Sequence, residues 1–142
     1  MDEGIYNIPK VDEIKIENYG IIEKAEIKFS PNLNIIAGKG ATGKTTVLKY
    51  LIKYYSKDSD IISLGEKIML KIRGSINKST ILIDDLLYRL DSEKLIEILN
   101  GLASCNRQII VTLDISQLGR IKKNLKGNIN IIKTENFELK NV

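Results

Sequence analysis

The chain has 142 residues, 43% hydrophobic and 28% charged, a balance that suits one domain with its own buried core and excludes long intrinsic disorder. Lysine and arginine outnumber aspartate and glutamate by 22 to 18, a net charge of +4 that fits an anionic partner such as nucleotide or DNA, and equally a solvated lysine-rich surface. The absence of histidine excludes every mechanism that needs a histidine base or metal ligand, and the single cysteine, Cys105, excludes an internal disulfide and multi-cysteine zinc sites.

No apolar run approaches the roughly 20 residues that a membrane span needs, so no membrane partner is expected. The opening Met1-Asp2-Glu3-Gly4 is acidic and predicts no secretory leader. Together with the cysteine usage, this points to the cytoplasm.

In chain order, residues 11–17 alternate apolar and polar side chains through Ile14 and Ile16, as a half-buried strand does. Asn18-Tyr19-Gly20 signals a turn and residues 25–29 alternate again, so the two runs predict an N-terminal β-hairpin. After a second turn at Ser30-Pro31-Asn32, residues 33–37 form a short apolar run that reads as a buried strand and leads into Gly38. Val47, Leu48, Leu51 and Ile52 fall at helical spacing over residues 44–55, and Ile68, Met69 and Ile72 do so over residues 66–72. Residues 80–83 predict a second buried strand, closed by Asp84-Asp85. Asp91-Ser92-Glu93 opens a helix with Leu95, Ile96, Ile98, Leu99 and Leu102 as its apolar stripe. Residues 108–113 predict a third buried strand, a short helix follows Ser116, and residues 130–132 and 137–139 are late strands around a turn. The order predicts one α/β sandwich over residues 1–142, with a mostly parallel central sheet and an antiparallel edge.

Between the strand at 33–37 and the helix from 44 lies Gly38-Lys39-Gly40-Ala41-Thr42-Gly43-Lys44-Thr45, a full match to G-x-x-x-x-G-K-[ST]. Glycines at 38, 40 and 43 allow a tight turn whose amides point inward, and the following helix N-terminus adds positive potential, so the loop through Thr46 is suited to phosphate oxygens. Lys44 would reach the β- and γ-phosphates of ATP, and the Thr45 hydroxyl would bind Mg²⁺. Asp84, at the end of the strand 80–83, is placed to hold Mg²⁺ through water. Asp85 is a candidate to position or deprotonate an attacking water.

These features resemble a nucleotide-binding head of the ABC superfamily, of the RecF and structural-maintenance-of-chromosomes type. The resemblance runs over residues 12–116. It begins with I-K-I-E-N-Y-G and A-E-I-K-F-S-P-N-L-N-I-I-A-G before the phosphate loop, and continues through Ile81 to Asp85 as Walker B and Leu90-Asp91 as the D-loop. Ser63-Leu64-Gly65-Glu66 resembles the signature motif, and also fits a helix capping box from Ser63 to Glu66. The resemblance implies a P-loop NTPase fold and two heads closing on two ATP molecules. Ser63, Gly65 and Glu66 would then act in trans, and Asp91 would lie at the dimer seam. Thr112-Leu113-Asp114 falls where such heads carry a switch histidine, so Asp114 stands at the switch position.

The chain departs from that pattern. The gap between Thr46 and Ser63 holds no glutamine and no coiled-coil insertion, the switch histidine is missing, and Asp85 stands where a glutamate is usual. The resemblance therefore implies slow hydrolysis and a stripped-down head, working as a homodimer or with a separate partner chain, in DNA repair or chromosome maintenance. A non-hydrolysing nucleotide-binding module remains open. So does a partitioning ATPase of the ParA and MinD type, whose K-G-G-x-G-K-T-T loop is similar to residues 39–46 and would send Lys39 across a dimer. A small-molecule kinase would need a lid of arginines, and Arg73, Arg89, Arg107 and Arg120 show no such grouping. Tyr6 and Tyr19 are candidates for stacking on adenine. Lys122, Lys123 and Lys126 form a weak basic cluster that suits either DNA phosphates or solvent.

Overall fold

The computed structural model describes residues 4–55, 79–84, 87 and 90–140. Among them, β1 (Gly4–Pro9), β2 (Glu13–Tyr19), β3 (Ile22–Lys28) and β4 (Leu33–Gly38) precede α1 (Lys44–Tyr55). Then come β5 (Ser79–Asp84), α2 (Ser92–Ala103), β6 (Ile109–Asp114), α3 (Ile115–Ile121), β7 (Ile129–Lys133) and β8 (Glu138–Leu139). The helix expected over residues 66–72 lies outside the described residues.

β4, β5, β6 and β7 pair in parallel and β1 adds antiparallel to β5, giving a five-stranded sheet in the order β1-β5-β6-β4-β7. A second, antiparallel sheet has the order β2-β3-β8. The mixed α/β architecture, the mostly parallel sheet and the antiparallel hairpin agree with the sequence reading.

Strand alternation sorts the core into two layers. Ile36 of β4, Leu82 of β5 and Ile110 of β6 face a cluster formed by α1 (Val47, Leu48, Leu51) and the hairpin (Ile14, Ile16, Ile22, Ala25, Ile27). Leu33, Ile35 and Ala37 face the opposite layer, formed by Leu95 and Leu99 of α2 and Leu118 and Ile121 of α3. β4 is buried along its whole length because both its faces are covered, which is why it reads as a continuous apolar run. Among the described residues, no helix is long and apolar enough to cross a membrane.

Buried amides fix where the chain enters the sheet. The Gln108 amide, 3% exposed, accepts from Val11 N at 2.9 Å and donates to Val11 O at 2.6 Å and Ser30 O at 2.8 Å. Its Oε1 also accepts from the Thr80 hydroxyl. The Asn34 amide, fully buried, accepts from Ser30 N and Asn130 Nδ2 and donates to Ser30 O and Asn32 O. These bonds tie the start of β4 to β5, β7 and the segment after β1.

Three elements differ from the sequence reading. β1 was not anticipated: glycine, a mid-strand Asn7 and Pro9 mask its pattern, and it is an edge strand stabilised by a six-residue register on β5. The hairpin strands lie within one to three residues of their expected limits. The late strands do not share a sheet. β7 pairs in parallel with β4, while β8 crosses to the hairpin sheet and pairs with β3, because a 3-10 turn at Thr134–Asn136 redirects the chain.

Gln108→Leu keeps the volume but strips partners from Val11 and Thr80. It should lower unfolding free energy by about 3 kcal/mol. Urea titration would show an earlier midpoint at unchanged slope.

Candidate functional site

β4 hands the chain to α1 on one face of the sheet, and β6 hands it to α3 on the other. A crevice therefore opens beyond the carboxyl ends of these adjacent strands, where α/β sheets bind ligands. Residues 39–43 form the loop that lines it. Gly43 has φ 109° and Ala41 φ 60°, so the loop is bent through left-handed conformations. Gly43 also packs closely, since a Cβ there would sit 3.2 Å from Ile22.

Gly38 and Gly40 do not supply left-handed turn conformations. Neither has a positive φ among the glycines that do. Gly38 is required by packing, because a Cβ would fall on the Thr134 hydroxyl and 2.7 Å from the Thr42 hydroxyl. Beside Gly40 a Cβ would meet no atom within 4 Å.

The loop is held by its own side chains. Thr42 donates to Lys39 O at 2.6 Å and accepts from the Thr134 hydroxyl at 2.8 Å. Lys44 donates to Gly38 O at 2.8 Å, which folds its ammonium over the loop. The first helical hydrogen bond beyond the loop runs from Val47 N to Gly43 O at 3.0 Å. The amides ahead of that bond have no intrahelical acceptor and lie at the positive end of the helix. Lys39 is exposed, and the Thr46 side chain meets the β2–β3 turn, close to Gly20.

Asp84, at the end of β5, is fully buried. Its Oδ1 accepts from Thr112 on β6 at 3.0 Å and faces the Thr45 hydroxyl at 3.5 Å. β6 lies between β5 and β4 in the sheet, so the carboxylate reaches Thr45 across one intervening strand. Among the described residues, no three His, Cys, Asp or Glu side chains gather at one point. A hydroxyl and a carboxylate converging beside the glycine-rich loop form a hard-oxygen donor set of the kind that fits Mg²⁺.

Asp114 ends β6 in register with Gly38 of β4. Its carboxylate caps α3, accepting from Ser116 N at 2.9 Å and the Ser116 hydroxyl at 2.5 Å. These bonds, with smaller contributions from Lys44 and Arg120, hold it below the usual aspartate range against the opposing effect of burial. Asp91 is exposed and caps α2, accepting from Lys94 N at 2.8 Å. Ser63, Gly65, Glu66 and Asp85 lie outside the described residues.

A cavity of about 220 Å³ adjoins the loop, lined by Ala37, Gly38, Lys39, Thr42, Ile115, Lys133, Thr134 and Glu135. Tyr19 packs edge-on against Tyr50 at 5.4 Å and Tyr54 at 6.0 Å, with Lys53 near the rings of Tyr19 and Tyr54, whereas Tyr6 lies in β1 beside Leu82.

The sequence reading missed Thr112 and Thr134. Thr112 had a signal, as the polar residue inside an apolar strand run. Thr134 had none, being distant in sequence from the loop it touches.

No family model matches the chain. It is similar to the DNA replication and repair protein RecF of Acetivibrio thermocellus, 30% identical over 62% of this chain and 26% of that protein. The RecF proteins of Lactococcus lactis subsp. lactis and Lactobacillus acidophilus are 31% and 28% identical, over 49% and 52% of this chain and 21% of each protein. The match thus spans between a fifth and about a quarter of these relatives' length. The likenesses support a relationship to the RecF-type ABC ATPases.

Asp114→Ala removes the α3 cap and should cost about 1 kcal/mol of stability at pH 7. Because the folded-state pKa is depressed, the cap's contribution is present above the unfolded aspartate range and fades as pH falls through the lower folded value. Thermal unfolding of both proteins at pH 7 and pH 3 should show the gap narrowing in acid.

Proposed function

We propose that the chain is a P-loop head that binds ATP with Mg²⁺ and dimerises around it. The observation that carries this is the closed loop between β4 and α1, with the Thr45 hydroxyl and the buried Asp84 carboxylate converging at its mouth. Residues 38–46 would wrap the phosphates, Lys44 would exchange its bond to Gly38 O for the β- and γ-phosphates, and Thr45 and Asp84 would hold Mg²⁺. The cation would neutralise phosphate charge when bound.

The resemblance to RecF-type heads supports a homodimer in which Ser63, Gly65 and Glu66 of one copy close on the other's γ-phosphate, with Asp91 at the seam. Asp85 would orient the attacking water and accept its proton as the bond to the γ-phosphorus forms and ADP leaves. Turnover is proposed to be slow, because the switch position carries Asp114, whose carboxylate is committed to Ser116 rather than to the crevice. That commitment also favours the second reading, a nucleotide-gated module that does not hydrolyse. The printed names of the relatives point to DNA replication and repair, and a separate partner chain or DNA would be what the dimer acts on.

Light scattering separates these readings. Wild type should be monomeric with ADP and dimeric with ATP and Mg²⁺, while Lys44→Ala should stay monomeric with both. A mass independent of nucleotide would overturn the gated dimer. Given the dimer, phosphate release at saturating ATP distinguishes slow hydrolysis from binding alone.

A further inference from the structure

The segment that follows β7 reaches the phosphate loop from outside. Thr134, 3% exposed, opens a 3-10 turn that leads into β8. Its hydroxyl donates to Thr42 Oγ1, and it occupies the space a Gly38 side chain would need. Three residues on, Phe137 packs beside Gly43, where a Cβ would lie 3.5 Å from the ring. One short stretch therefore braces the loop at its first glycine, its middle and its last glycine.

The direction of the hydrogen bonds matters. A hydroxyl has one proton to give. Thr134 gives its proton to Thr42, and Thr42 gives its own to Lys39 O, closing the turn over Gly40 and Ala41. Without the Thr134 donor, the Thr42 hydroxyl loses a partner in a half-buried position. The Thr42 bond to Lys39 O, which closes the bend carrying Ala41 at φ 60°, is then left without its brace.

We propose that Thr134 is a positioning residue for phosphate binding: it acts through Thr42 to hold residues 39–43 in the closed form before nucleotide arrives. Preorganisation of this kind lowers the ordering cost of binding rather than adding a contact to the ligand. The inference rests on the phosphate-loop reading above and adds to it a residue outside the loop motif.

Two measurements on the full chain test it. Hydrogen exchange of the nucleotide-free protein should show faster exchange at residues 40–45 in Thr134→Val, with exchange in β4, β6 and α2 unchanged. Titration with ATP and Mg²⁺ should then show an affinity loss of about tenfold in Thr134→Val, the effect of one hydrogen bond. Thr134→Ser should bind within about twofold of wild type. The pair Thr42→Val and Thr134→Val should lose little more together than Thr42→Val alone, because the two act in series. Wild-type affinity and unchanged loop exchange in Thr134→Val would overturn the proposal while leaving the phosphate-loop reading intact. So would a serine variant that fails to restore binding, or fully additive losses. A wild-type chain that binds no nucleotide would overturn both.

Discussion

The constraint on which the site depends is the burial of the Asp84 carboxylate. A charged oxygen pair taken out of water is costly unless it is hydrogen-bonded or neutralised. Thr112 supplies one hydrogen bond from the neighbouring strand, and the Thr45 hydroxyl stands at the edge of hydrogen-bonding distance. Thr112 reaches the carboxylate because β6 pairs directly with β5, and β6 also carries β4 and its loop on its other edge. The strand order, more than any single residue, places a buried carboxylate beside the glycine-rich loop.

The two layers of the core stabilise this arrangement from opposite sides. The hairpin sheet packs on α1 and holds the end of the loop through Ile22 and Gly43. The α2 and α3 layer fixes β4 and β6, and Asp114 caps α3 within reach of the electrostatic influence of Lys44. The strap from Thr134 to Leu139 joins the sheets, since it leaves β7 in one and enters β8 in the other. The loop is thus braced by the hairpin sheet and by the segment that follows β7.

Much of this was legible in the sequence. The runs at 33–37 and 109–113 are buried along their length and that at 80–83 is buried except at Ile81, and such strands announce themselves because both faces need apolar side chains. The place of the G-x-x-x-x-G-K-[ST] loop between β4 and α1, and of Asp84 at the end of β5, was legible because the motif joins an apolar run to a helical pattern. What escaped was long-range. β1 has no apolar alternation of its own and depends on its partner. β7 and β8 read as two strands around one turn because nothing local says that a 3-10 turn sends them to different sheets. The necessity of Gly38 was legible, but its cause was not, since the atom that excludes a side chain there belongs to Thr134. Asp91 and Asp114 carried motif assignments from family resemblance, and in the fold both serve as helix caps, a role that aspartate before a helix also predicts.

The buried Asp84 carboxylate and the Thr45 hydroxyl are proposed to make this a site for nucleotide with a divalent cation. Calorimetric titration with ATP, with Mg²⁺ and with a chelator, in wild type and Asp84→Asn, tests it most directly. Mg²⁺ should tighten ATP binding to wild type and leave Asp84→Asn nearly unaffected, while the two proteins should bind ATP alike in chelator. Equal Mg²⁺ enhancement in both proteins, or no binding of ATP to wild type under either condition, would contradict it.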